Sequence, residues 1–185
     1  MKGFGFVNFF ADTHFNARGR LGRLPPILKD IKLSIGVGID EKTALLYEEN
    51  RLSQVVGYNG VTVCDMGKAI LPTTSYFSAK NIRVHYLTAG DSYDFLTKKV
   101  TSCKEAITTP YYSGPTDSSD ILKEYEASLL LTREVDQKSL YNLGRTRAPS
   151  DFSRSTPVFE LRFQRDNSTK GYYADHKYTV DGVIL

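Results

Sequence analysis

The sequence predicts an α/β fold: a parallel strand–helix–strand unit at its start and a β-rich remainder. Three observations carry that expectation. Phe4–Phe10 and Ile31–Ile39 are almost continuously apolar and β-prone, the pattern of strands covered on both faces. Ala17–Asp30 between them places Leu21, Leu24 and Leu28 on one helical face. Strand, helix and strand within forty residues form a crossover that makes the two strands parallel.

Each element follows from its residues. The first strand leads into Asp12-Thr13-His14, where it should end. Pro25-Pro26 breaks or restarts the following helix, because proline has no N–H to donate. The second strand ends at Asp40-Glu41. Thr43–Tyr47, Leu52–Val56 and Val61–Cys64 then read as short strands, with Glu49-Asn50 and Asn59-Gly60 as turns. Asn81–Thr88 alternates apolar and polar residues, predicting a half-exposed strand. Residues 104–120, with Pro110, Gly114, Pro115 and TDSSD, read as a loop. Asp120 is positioned to cap a helix over Ile121–Leu131 with Ile121, Leu122, Tyr125 and Leu129 on its apolar face. Residues 144–157 are polar and irregular. Phe159, Leu161 and Phe163 alternate with charged or amide residues as an amphipathic strand, and DNSTKG turns the chain toward a last aromatic strand near Tyr172–Val180.

The chain has 185 residues, 41% apolar and 24% charged, which excludes wholesale disorder and fits one globular domain. Its net charge of +3 is uneven: residues 1–32 carry +4 and the other 153 sum to −1. The opening MKGFGFVNFFA superficially matches a secretory leader. Its apolar run is short, contains Asn8 and meets Asp12 without spacing, so no leader is expected. No apolar run approaches the ~20 residues that span a bilayer. Cys64 and Cys103 form no CxxC or ligand cluster and are expected as free thiols. These features predict a cytoplasmic chain with no cofactor, no metal and no membrane partner.

The chemistry-bearing residues sit at the strand ends. In open α/β sheets, ligands and catalytic groups gather beyond the carboxyl ends of the strands, where His14 and Glu41 both fall. A histidine there serves either structure or general-base catalysis, and a carboxylate beside it would orient the imidazole. Asp40 and Glu41 are adjacent and should point apart, so only one faces His14. Arg18, Arg20 and Arg23 are either a solvated helix face or guanidinium forks for an anion. The interposed Gly19 and Gly22 suggest a backbone held close to something. The cluster is short and lacks interleaved aromatics, so no nucleic acid is expected.

DTHFNARGRLGRL followed by GVGIDEKTALL resembles the block DQHFSQRGRLGRL and GIGIDEDTA of cyanophycinases, the serine hydrolases of peptidase family S51. The resemblance runs more loosely through VVGYNGVTVCD and NIRVHYLTAGDSYDF, covering about residues 3–97. It implies a class I glutamine-amidotransferase-like (Rossmann-like) sheet and a Ser–His–Glu triad that cleaves cyanophycin into β-Asp-Arg dipeptides. On that resemblance His14 and Glu41 are catalytic, and Asp12, Thr13, Arg18, Arg20 and Arg23 bind substrate. Thr13 stands where the family commonly has Gln.

The family's nucleophile sits on a Gly-x-Ser-x-Gly elbow about forty residues upstream of the His motif. Here thirteen residues precede His14, and Ser75, Ser113 and Ser119 lack the flanking small residues of an elbow. The expectation is therefore the C-terminal half of a catalytic domain (1–97), its sheet incomplete at the N-terminus, followed by a β-rich extension (98–185). Such a chain should be inactive and marginally folded alone. Its expected partners are cyanophycin or a β-aspartyl peptide and the missing half bearing the nucleophile, with a homodimer as a further candidate. The alternatives are a non-catalytic peptide- or anion-binding remnant and a related S51 dipeptidase, the latter disfavoured by the RGRLGRL block.

Overall fold

The structure, a computed structural model, describes residues 5–48, 52–146 and 159–185. It is a mixed α/β, strand-rich fold. The strands are β1 (Phe10–Thr13), β2 (Ile35–Ile39), β3 (Thr43–Tyr47), β4 (Leu52–Gly57), β5 (Gly60–Asp65), β6 (Arg83–Thr88), β7 (Ser92–Asp94), β8 (Lys99–Thr101), β9 (Glu105–Ala106), β10 (Tyr141–Arg145), β11 (Glu160–Gln164), β12 (Lys170–Ala174) and β13 (Lys177–Ile184); the α-helices are α1 (Leu24–Ile31) and α2 (Glu126–Val135).

Among the described residues the strands form a curled mixed sheet and a small antiparallel one. The large sheet runs β1-β2-β5-β6-β13-β11-β10, with β12 and β9 branching from β13; the small sheet runs β3-β4-β7-β8. Among the strands of the described residues only β1 and β2 form a parallel ladder, with Phe10 opposite Gly36 and Thr13 opposite Ile39. The expected strand–helix–strand crossover is therefore present. β2 pairs antiparallel to β5, and β13 antiparallel to β6, so strands from both sides of residue 97 share one sheet.

Two apolar clusters glue three layers. On one face of the large sheet, α1 and α2 bury Leu24, Leu28, Leu130 and Leu131 with Phe163, Val180 and Val183. On the other face the small sheet packs Val55 and Tyr93 against Val61, Val63 and Leu87. Each fully buried Leu, Val or Phe side chain contributes about 1.5–3 kcal/mol of transfer free energy.

Several elements differ from the sequence expectation for identifiable reasons. The first strand begins at Phe10 rather than Phe4, which lies outside the described residues. Phe9 instead stacks on Phe95 at 4.9 Å and meets Tyr47 edge-on at 5.3 Å, so it buries its ring outside a ladder, whereas Phe6 and Val7 stay exposed. The predicted helix over 17–30 is two 3₁₀ turns, Asn16–Arg18 and Leu21–Arg23, followed by α1 with Pro25-Pro26 in its first turn. Lys32 closes α1 in the left-handed conformation, which delays β2 to Ile35. β6 is buried along nearly its whole length, because β5 and β13 flank it and both layers cover it.

The second helix starts five residues later than predicted, at Glu126. Leu122 and Leu129 are exposed, whereas Ala127, Leu130, Leu131 and Val135 face the core. Residues 104–120 are largely irregular as expected, apart from β9. β10 was not expected; it forms because Tyr141–Arg145 pairs with Glu160–Gln164 of β11. The single strand predicted near Tyr172–Val180 is instead a hairpin, turned at Asp175 and His176, both at positive φ. The Glu49-Asn50 turn and residues 147–157 of the irregular stretch lie outside the described residues.

Candidate functional site

Parallel pairing of β1 with β2 brings their carboxyl ends side by side, so residues 14 and 40–41 emerge together. His14 follows β1 directly and has φ 53, a left-handed conformation uncommon for a non-glycine residue and concentrated at functional sites. Phe15 N–H donates to the Ile39 carbonyl at 3.3 Å, which holds the turn on β2. His14 Nδ1 then lies 2.8 Å from Glu41 Oε1. A carboxylate at Nδ1 selects the tautomer that carries its proton there and leaves Nε2 as the base. Both side chains are about half exposed, and among the described residues the imidazole makes no other hydrogen bond.

Asp40 points the other way, as adjacent strand-end residues should. Its buried carboxylate accepts from the Asn16 backbone N–H at 2.9 Å and from Asn16 Nδ2 at 3.1 and 3.2 Å. Asn16 Nδ2 also lies 3.2 Å from Thr62 Oγ1 of β5. Burial pushes the Asp40 carboxyl above its usual range, against hydrogen bonds from Asn16, Gly60 and Tyr86 that favour the charged form. Asp40 thus ties the His14 turn to the sheet and leaves Glu41 to face the imidazole.

The Phe15 ring locks the same turn from below. It is fully buried on β2, and a Cβ at Gly38 would lie 2.2 Å from its Cγ. Glycine at 38 is therefore a space requirement of the His14 turn.

Asp12 and the arginines form a compact ionic cluster. Arg20 Nη1 bonds Asp12 Oδ1 and donates to the Thr13 carbonyl at 2.8 Å, while Arg23 Nη2 reaches Asp12 Oδ2 at 2.7 Å. Two of the three guanidiniums are thus engaged by one buried carboxylate. Arg18 is exposed and forms no ion pair with any described residue, and Thr13 is also exposed at the end of β1. Gly19, at φ 55, is held against protein: a Cβ there would lie 2.0 Å from the Leu122 carbonyl oxygen.

Three site neighbours were not singled out from sequence. Asn16 lies inside the motif block but gave no separate signal. Asn59, expected only as a turn residue, donates from Nδ2 to the Glu41 carbonyl at 2.8 Å and lies 3.5 Å from the Tyr125 hydroxyl. Tyr125, expected on a helix face, donates its backbone N–H to the Asn16 carbonyl at 2.8 Å. Cys64 and Cys103 are free, and burial pushes the Cys64 thiol up to about 12. Among the described residues no three His, Cys, Asp or Glu side chains are grouped to hold a metal ion, and no helix is long and apolar enough to cross a membrane.

No protein-family model matches the chain. The cyanophycinases of Synechococcus elongatus and Thermosynechococcus vestitus are each 34% identical to it over 95 residues, which is 48% of this chain and 30% of theirs. That of Geminocystis herdmanii is 31% identical over 100 residues, 50% of this chain and 36% of its own. The chain therefore bears a distant, partial similarity to cyanophycinases and spans about a third of the length of these curated relatives.

Proposed function

We propose that residues 12–41 are the histidine–acid half of a serine-type hydrolase site of the cyanophycinase kind, on a class I glutamine-amidotransferase-like sheet. The observation that carries the reading is the 2.8 Å contact between His14 Nδ1 and Glu41 Oε1 at neighbouring parallel strand ends. His14 Nε2 takes the proton of a serine hydroxyl as that oxygen attacks the scissile carbonyl. Glu41 stabilises the imidazolium, which returns the proton to the leaving amine as the C–N bond breaks. Water then repeats the cycle on the acyl-enzyme.

The nucleophile belongs to another segment in this reading. Among the described residues no serine, threonine or cysteine hydrogen-bonds the imidazole. Among the described residues β1 pairs only with β2, and none of them adds a strand to its second edge, where a further strand could pair. The substrate class is a β-aspartyl peptide such as cyanophycin, whose free carboxylates suit the exposed Arg18 guanidinium. Arg20, Arg23 and Asp12 shape the wall beside it, with Arg20 anchored on the Thr13 carbonyl. The free thiols suit a reducing, cytoplasmic setting.

The test is co-expression of the chain with a Gly-x-Ser-x-Gly-bearing N-terminal segment, followed by assay of β-Asp-Arg release from cyanophycin. Release that disappears in His14→Ala supports the reading. A stable complex that binds β-Asp-Arg without turnover favours a non-catalytic peptide-binding role instead.

A further inference from the structure

A cleft of about 600 Å³ is lined by Tyr58, Asn59, Tyr86, Tyr125, His176 and Lys177 among others. It adjoins the backbone of Glu41 through Asn59, whose Nδ2 donates to the Glu41 carbonyl at 2.8 Å and lies 3.5 Å from the Tyr125 hydroxyl. Its floor adjoins Asp40, to which the Tyr86 hydroxyl bonds. Three chain regions remote in sequence build its walls: the β4–β5 turn, the start of α2 and the β12–β13 turn. Tyr125, His176 and Lys177 lie beyond residues 3–97, over which the motif resemblance runs.

Two features give the cleft a ligand preference. Tyr125 holds a left-handed backbone at φ 57, pinned by its N–H to the Asn16 carbonyl, two residues from His14. The surroundings thus fix a bulky ring beside the cleft in a conformation that non-glycine residues seldom adopt. Lys177 Nζ lies 5.8 Å from the Tyr58 ring centroid and forms no ion pair with any described residue. Asp175 lines the same turn, so a polyanion would meet repulsion that one carboxylate tolerates. Aromatic walls and a single uncompensated ammonium fit a peptide bearing isolated carboxylates.

We propose that this cleft is the subsite for the part of a peptide substrate beyond the bond presented to His14, with Lys177 pairing a peptide carboxylate and Tyr58 and Tyr125 covering its aliphatic stem. The assignment rests on the hydrolytic reading above for which end of the cleft faces the chemistry.

Calorimetric titration of the full chain with β-Asp-Arg and with its two-unit oligomer tests it. The oligomer binds more tightly than the dipeptide. Lys177→Glu weakens oligomer binding about tenfold, the loss of one charge-assisted contact, and leaves dipeptide binding within about twofold. Tyr125→Asn, which keeps a residue tolerant of the left-handed backbone, weakens the oligomer by about threefold or more. Equal oligomer affinity in the parent and Lys177→Glu, or no oligomer binding at all, overturns the assignment. The two readings fail separately. Lys177-dependent binding without hydrolysis by the co-expressed complex removes the hydrolytic reading and leaves the cleft. Hydrolysis whose KM for the oligomer ignores Lys177→Glu removes the cleft and leaves the hydrolase.

Discussion

Glu41 and His14, 27 residues apart in the chain, meet at 2.8 Å on the exposed end of the only parallel strand pair among the described residues. Both side chains are about half exposed. An ion pair so exposed adds at most about 1 kcal/mol to stability. The contact is better explained by what it does to Nε2 than by what it adds to the fold.

His14→Ala and Glu41→Gln should therefore separate activity from stability. In the co-expressed complex, His14→Ala is expected to lower kcat/KM by about 10³–10⁴-fold or more, and Glu41→Gln by about 10²–10⁴-fold. Thermal melts of both variants should stay within about 4 °C of the parent, the shift that 1 kcal/mol produces in a chain of this size. A large loss of Tm with activity retained would mark the pair as structural.

Asn16 carries the opposite signature. It fills the acceptor sites of the buried Asp40 carboxylate from both its backbone and its side chain. Asn16→Leu removes the Nδ2 donor and leaves Asp40 and Thr62 short of a partner. The expected cost is about 1–3 kcal/mol in urea unfolding. The Asp40→Asn, Asn16→Leu double variant should recover part of that loss, since a neutral amide is less costly to bury unpaired. Additive losses would show that the two side chains do not act through each other.

The site was more legible than the fold around it. His14, Glu41 and the Asp12–Arg23 block are close in sequence to strand ends, so a local reading of periodicity places them. The outward Glu41 and inward Asp40 follow from strand alternation alone. The arginine cluster was legible as a cluster, but its internal neutralisation was not, because it depends on Arg20 and Arg23 curling back through two 3₁₀ turns onto Asp12. Long-range assembly was least visible. The alternation of Asn81–Thr88 carries no information that β13, some ninety residues later, covers one of its edges. The aromatic run Tyr172–Val180 hides a reversal at Asp175-His176, since neither residue is a glycine. Tyr125 reaches the site only because the helix begins at Glu126, six residues beyond the apparent cap at Asp120.

Gly38→Ala tests the packing beneath the His14 turn. The added methyl would sit 2.2 Å from Phe15 Cγ, so the buried ring must move, and the turn with it. Overpacking of this kind costs about 1–3 kcal/mol. The displacement should also lengthen the His14–Glu41 contact, seen as moved chemical shifts of the His14 ring resonances by NMR. Gly38→Ala with unaltered stability and unmoved His14 ring resonances would show that Phe15 does not position His14.

Glu134 supplies a pH test independent of the site. Its side chain is fully buried on α2; Gln137 Nε2 donates to Oε2 at 3.0 Å, and Arg165 Nε lies 3.6 Å from Oε1. Burial raises the carboxyl from 4.5 to about 8, more than the Arg165 charge lowers it. Between those two values the folded chain keeps a proton that the unfolded chain has released. Folding thus binds protons, and stability must fall as pH rises through this window. The contribution is complete below pH 4.5 and is lost as pH passes about 8. Glu134→Gln, neutral at every pH, removes this dependence. Its urea midpoint should change less between pH 5 and pH 8 than that of the parent, with the difference between the two reaching on the order of 1–3 kcal/mol by pH 8. Parallel pH profiles for the two chains would mean that Glu134 is already ionised at neutral pH and paired with Arg165.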